Sequence, residues 1–396
     1  MQKLYGTIVW LIATLFVVYS FCLNTAAAVF SEPIKNTLSA SDYGVSIATG
    51  AFILGFACMQ IPAGYLLDKF NPRIVVSGGI LLLALGNIFI SIADSLTIFT
   101  FANFIQGIGA SFAFVAAAVL ISQWFSAQVF PVLFGLTQTL SCILAGVLHY
   151  YFKVELISHT WNELYQWLAI AGLILFVLSS ILVRSPSGLK RDSSISLKKS
   201  LAVVFKNKQI VLCSVAAATS FGVLLAYASL WFMPIQNYYS VDNLQSIIIS
   251  GLIFVGIGIG TPLIGWFSNT VKSRIMVIHI TLVTGTMVLL LGIYLPHYSM
   301  NSFIITKIVS FLIGFLLSGS MLFYTMVSEI SSDSTRGVAI SVLNTAVFLF
   351  NTLLLFIPYL FITTVSKDFF TYLWILPFCT LSSILLIYFI KDTNPE

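Results

Sequence analysis

Charge is what this sequence has least of: among 396 residues there are 18 Lys or Arg and 13 Asp or Glu, or 8%. An ordinary soluble domain carries about 25%, so a water-soluble globular fold is excluded. Histidine is scarce as well, and His149, His159, His279 and His297 show no metal-ligand spacing, so no metal is expected. The five cysteines (Cys22, Cys58, Cys142, Cys213 and Cys379) lie inside apolar runs without a C-x-x-C pair. That excludes a disulfide framework and a zinc site and leaves them as small core residues. No Gly-x-x-x-x-Gly-Lys-Ser/Thr loop is present, which argues against ATP-driven work by this chain alone. No constellation of catalytic side chains stands out; the chain reads as a non-enzyme that needs no cofactor.

What is abundant is apolar surface. Hydrophobic residues make up 59% and the mean hydropathy is +1.03, so the solvent must be lipid. At about 20 residues per span the length accommodates a dozen helices with short loops and no soluble catalytic domain. Cutting at charges, turns and polar clusters gives twelve spans: 7–30, 44–67, 74–93, 96–121, 129–152, 164–183, 210–235, 247–267, 275–295, 303–326, 338–361 and 370–390. The first is too long for the apolar core of a signal peptide and lacks a small-residue cleavage site, so it is read as a retained helix. The expected fold is an all-α membrane protein of twelve transmembrane helices in two parallel six-helix halves. The N-terminal bundle is 1–183, a basic linker is 184–209, and the C-terminal bundle is 210–396.

Lys and Arg resist translocation and mark the cytoplasmic side. With the N-terminus inside, 14 of the 18 fall there: Lys3, Lys69, Arg73, the seven of the linker, Lys272, Arg274, Arg336 and Lys391. Both termini are therefore expected in the cytoplasm. The net charge of +5 follows from this topology and an anionic inner leaflet, without a nucleic-acid partner.

The halves repeat. At an offset of 201, Gly50, Gly55, Gly64 and Arg73 coincide with Gly251, Gly256, Gly265 and Arg274, on the second helix of each half and the loop after it. An even number of spans separates the copies, so both enter the membrane in the same sense, a parallel duplication.

The loop after the second helix runs from Gly64 through Asp68 and Lys69 to Arg73, and the fourth helix carries Gln106-Gly107-Ile108-Gly109. In these stretches the chain resembles the major facilitator superfamily, a likeness that extends along its whole length. The resemblance implies alternating access and a monomer in a bacterial inner membrane. It implies a gate at Gly64, Asp68, Lys69 and Arg73, where an acid at a helix end pairs with cations or helix termini and locks one state. Its second copy is Gly265 with Arg274, where Asn269 replaces the acid and should lock less strongly; Glu329 and Arg336 enter the eleventh helix like uptake members. Asn103 stands where the superfamily has an arginine linked to proton coupling, and the fifth helix lacks the Gly-Pro pair of drug/proton antiporters. Both departures weigh against a multidrug exporter. More narrowly, the run from Gln60 to Arg73 with the fourth helix resembles the phagosomal nutrient transporter group of intracellular bacteria, whose members take up amino acids or nucleosides.

In a two-halved transporter the substrate binds near the midplane, where inward polar side chains line water. Helices one, four, seven and ten supply the expected lining: Tyr19 and Asn24; Asn103 and Gln106 as a pair; Ser220, Tyr227 and Trp231 along one face; Lys307 and Tyr324. Gln138 and Asn344 are further candidates. Lys307 is the one cation well inside a span, set either to meet an acidic group or to snorkel outward. No midplane carboxylate stands out as a proton carrier; Asp42 and His149 are the candidate titrating groups. The expected function is secondary active transport of a small polar organic solute, an amino acid or related metabolite, coupled to protons. The expected partners are that solute, membrane lipid and protons. A siderophore or drug exporter of the same fold, or a non-transporting membrane receptor, are the alternatives.

Overall fold

The computed structural model describes residues 2–186, 195–231, 235–236, 243–294, 303–361 and 373–393. Among them all regular structure is helical: α1 Gln2–Thr37, α2 Asp42–Lys69, α3 Pro72–Ser91, α4 Leu96–Ala110, α5 Ala113–Trp124, α6 Phe130–Glu155, α7 Trp161–Leu182, α8 Leu197–Lys206, α9 Lys208–Ala226, α10 Asn243–Val271, α11 Arg274–Tyr294, α12 Phe303–Leu317, α13 Leu322–Ile330, α14 Arg336–Phe361 and α15 Ile375–Ile387. Among the described residues eleven spans are long and apolar enough to cross a membrane, α4 with α5 and α12 with α13 each making one. The shorter apolar α15 takes the place of the twelfth expected span, whose first residues lie outside those described.

The helix starts are written locally. Ser41 caps α2, Asn71 and Pro72 open α3, and Thr160 with Glu163 forms a reciprocal capping box on α7, each satisfying donors that a helix end leaves without partners. On α7, Ile170, Ile174, Val177 and Ile181 form an exposed stripe opposite the buried Leu164, Leu168 and Leu175. That is the pattern of a helix whose outer face meets lipid rather than water.

The structure adds detail to two of the expected spans and to the linker. The spans 96–121 and 303–326 are interrupted, the first at Ser111 and Phe112, the second by the 3-10 turn Ser318–Met321. At both breaks a serine bonds back to its own helix, Ser111 Oγ to the Ile108 carbonyl and Ser318 Oγ to the Phe315 carbonyl, both at 2.7 Å, a contact that also occurs inside the unbroken α7 and α10 at Ser179 and Ser268. Within the segment 184–209, read from the sequence as a basic linker, α8 forms. Its Ser200 and Val204 are buried while Lys198, Lys199 and Lys206 face out; the lysine run hid this spacing.

The chain forms two compact units. The first comprises Met1–Ser126, Leu140–Val203 and Ser332–Ser341; the second comprises Ala127–Thr139, Val204–Ser331 and Val342–Glu396. Each has the same close crossing. In the first, α2 meets α4 so tightly that a Cβ on Gly107 would overlap the Phe52 carbonyl, its carbon only 2.8 Å away. In the second, α10 meets α12 and a Cβ on Gly314 would overlap the Ile253 carbonyl, again with its carbon at 2.8 Å. Small residues let membrane helices approach this closely. Phe52 and Ile253 differ by 201 positions but Gly107 and Gly314 by 207, so a search at one offset meets only half of the repeat.

Candidate functional site

In the first unit a buried polar chain joins four helices. Gln106 Nε2 on α4 donates to Asn87 Oδ1 on α3 at 2.8 Å, and Asn87 Nδ2 donates to Tyr19 Oη on α1 at 2.6 Å. Tyr19 in turn donates to the Leu168 carbonyl on α7 at 2.8 Å. All three side chains are buried. Asn87 was not among the expected site residues, although it is the one amide in the run 74–93. Asn103, on the same helix as Gln106, donates its amide to its own helix at the Phe99 carbonyl, 2.8 Å away. A free amide beside an i−4 carbonyl bonds there when nothing closer competes. Asn87→Ala would strip two buried partners at once, so we expect a loss of about 2–4 kcal/mol, read as a lower unfolding midpoint in detergent.

The second unit holds a further buried polar cluster. Tyr324 Oη on α13 donates to Asn344 Oδ1 on α14 at 2.7 Å, and both side chains are fully buried. The Tyr324 ring meets Phe134 of α6 at 5.5 Å and Phe221 of α9 at 6.5 Å between centroids. Asn344 Nδ2 has no hydrogen-bond partner among the described residues. Beside this cluster, Phe134, Thr261, Ser318, Met321 and Thr325 line a cavity with room for about one water molecule. Such a space does not admit an organic solute.

The other expected lining residues scatter. Ser220 is buried but back-bonds to the Ala216 carbonyl at 2.5 Å. Tyr227 is fully buried and opens a π turn, Tyr227–Trp231. The wider turn shifts the register of the backbone after Tyr227. Gln138 is buried, whereas Lys307 and His149 are half-buried. The side chains of Asn24, Asp42 and Trp231 lie outside the described ones.

The loop residues are more tightly organised. Asp68, 7% exposed, accepts from the backbone N–H groups of Gly337 at 2.7 Å and Val338 at 2.9 Å. It thus caps the first turn of α14 with a full negative charge where the helix presents unbonded donors. Gly64 makes this approach possible, since a Cβ there would overlap Ser341 Oγ and the Gly337 carbonyl. Lys69 donates to Tyr65 Oη at 3.0 Å, Arg73 donates to the Ser180 carbonyl, and Arg336 donates to Asp333 at 2.6 Å and Ser122 at 3.4 Å.

At the second copy the chemistry differs. Gly265 lies against Pro131, and Asn269 Nδ2 donates to the Gln128 carbonyl at 2.6 Å. Arg274, unlike the exposed Arg73, is completely buried. It donates to Ser268 and Asn269 at 2.6 Å, to Glu329 at 3.0 Å and to the Ala127 carbonyl at 3.4 Å. The carboxylate missing at position 269 is thereby supplied from α13 by Glu329.

Comparison with known proteins places this geometry. Residues 12–355 match the family model for the Major Facilitator Superfamily. Among curated proteins, the chain is 23% identical over 212 residues to the multidrug resistance protein MdtL of Shewanella sp. strain ANA-3, covering 54% of each chain. It is 24% identical over 151 residues to MdtL of Shigella dysenteriae, covering 38% of this chain and 39% of that one. The matches thus span about half or less of these relatives' length. Among solved structures, the proton:xylose symporter XylE bound to 6-bromo-6-deoxy-D-glucose aligns with a TM-score of 0.75 at 16% identity, covering 100% of this chain and 98% of that one. The E. coli fucose:proton symporter FucP (N162A) aligns at 0.72 and 15%, covering 97% and 98%. At such identities these two speak for the fold alone.

Proposed function

The chain belongs to the Major Facilitator Superfamily, and on that premise we propose that it takes up a small polar organic solute, an amino acid or related metabolite, by alternating access coupled to protons. The observation that carries the substrate class is the Tyr324–Asn344 pair: a buried amide with a spare donor, walled by Phe134 and Phe221. An uncharged donor among aromatic rings suits a neutral or zwitterionic polar molecule, since a buried donor without a partner costs about 1–3 kcal/mol that a ligand acceptor would recover. XylE and FucP are both proton symporters, which favours the coupling, and the likeness of 60–73 to nutrient transporters favours uptake of an amino acid or nucleoside. The likeness to MdtL, a multidrug resistance protein, favours a second reading, proton-driven export of a drug-like molecule. We place the protein as a monomer in a bacterial inner membrane with both ends in the cytoplasm, following the distribution of Lys and Arg.

In this reading Asp68 is the lock: capping α14 holds the α2 end to Gly337 and Val338, and the state changes when the cap is released. Asp68→Ala would leave two N–H groups without an acceptor and is expected to lower uptake at least tenfold; Asp68→Asn keeps one acceptor and should lose less. Reconstitution in liposomes with labelled amino acids, nucleosides and dye-like drugs, with and without a proton gradient, tests the whole. Gradient-driven amino-acid or nucleoside accumulation, weakened about tenfold in half-saturation by Asn344→Ala, is the expected result. Gradient-driven export of the dyes with no uptake of the nutrients would replace it by the second reading.

A further inference from the structure

The start of α11 is the repeat partner of the start of α3, and the two are capped by different means. In the first unit the Arg73 N–H donates to Asn71 Oδ1 at 3.1 Å, two residues upstream. At the repeat position of Asn71 the second unit has Lys272, with φ of 57° and no acceptor on its side chain. The Arg274 N–H donates instead to Asp392 Oδ1 at 3.0 Å, from the far end of the chain, and Ser273 Oγ donates to the other Asp392 oxygen. Ser273 Oγ meanwhile accepts from the Met276 N–H at 3.0 Å. The next residue, Thr393, donates to Glu329 Oε2 at 2.6 Å, while Glu329 Oε1 accepts from Arg274. Upstream the strand of tail is pinned again: the Lys391 N–H donates to Gln209 Oε1 at 2.8 Å and Gln209 Nε2 donates to the Phe389 carbonyl at 3.3 Å.

We infer that the C-terminal segment 389–393 is a clasp whose Asp392 and Thr393 are positioning residues for Arg274. Asp392 holds the backbone from which Arg274 projects, and Thr393 holds the carboxylate that Arg274 meets. With both ends of the pair held, the guanidinium reaches the Ala127 carbonyl and steadies Asn269, which reaches Gln128. The tail thereby governs how firmly the entry of α6 is tied within the second unit. Two of its groups do for this copy what Asn71, beside its own helix, does for the first. For any effect on transport the inference rests on the reading of these loops as a gate; for the tie itself it does not.

Hydrogen–deuterium exchange on the full-length protein in detergent, without substrate, separates the two. Losing a helix cap with its acceptor corresponds to roughly fivefold faster opening, so Asp392→Ala should speed exchange about fivefold at 274–277 and also at 128–130. Asp392→Asn, which keeps the acceptor, should stay within about twofold of the parent. Thr393→Val should speed 128–130 with 274–277 less affected. Unchanged exchange at 128–130 in Asp392→Ala overturns the inference. So does an equal rise at 73–76 on α3, which would mean general loosening rather than a clasp. Because no solute is used, a wrong substrate assignment leaves this result unaffected.

Discussion

Arg274→Met is expected to be the most damaging single substitution of a loop residue. The guanidinium is fully buried and its pair with Glu329 closes at 3.0 Å, so removing it leaves a carboxylate in a largely dry place with Thr393 as its remaining side-chain donor among the described residues. Breaking a buried pair from one side typically costs about 3–5 kcal/mol, whereas replacing both members by apolar groups is often close to neutral. Arg274→Met should therefore collapse the yield of monodisperse protein on size exclusion and lower its unfolding midpoint. Adding Glu329→Leu should restore much of the loss. If the double variant is no better than the single one, the stranded carboxylate is not the cause of the damage.

The second large effect belongs to the paired crossings. Gly107→Ala and Gly314→Ala each drive a methyl group into a backbone carbonyl of the facing helix, at Phe52 and Ile253. Backbone cannot swing aside as a side-chain end can, so the cost should reach the upper part of the usual 1–3 kcal/mol for overpacking or exceed it. The companion Gly251→Ala, with open space around it, should change the unfolding midpoint little. It gives a control on an adjoining helix of the second unit with the same chemical change. A comparable drop in all three variants would mean that close approach at Phe52 and Ile253 is not the cause, because the effect of alanine on the unfolded chain runs the other way and stabilises.

Much of the architecture was legible from residue types alone. Membrane spans announce themselves because lipid offers no hydrogen bonds, so every span must be long, apolar and helical; this holds whatever packs against it. Caps such as Ser41, Asn71 and Thr160 act over three residues and are equally local. The duplicated glycines of the second helices were visible for the same reason, since their spacing is a property of one segment. Ser111 and Ser318 show where local reading falls short: each occupies an apolar run as a tolerable residue, and the break beside it is visible only in the folded backbone.

The site divides in the same way. Asp68 and Arg274 were marked by a charge and a matching repeat, but what each one meets depends on segments some 270 and 55 residues away in the chain. Asn87 carries no motif; its importance lies in two partners, Tyr19 and Gln106, brought to it by other helices. Sequence by itself determined the lipid solvent, the helices, their repeat and the acid at the end of α2. Tertiary structure alone decided that this acid caps a helix, that Glu329 and the C-terminal tail stand in for its missing counterpart, and which amides are satisfied. Solvent choice is a sum over composition, whereas a hydrogen bond needs two groups at one distance and angle, and only the folded chain sets those.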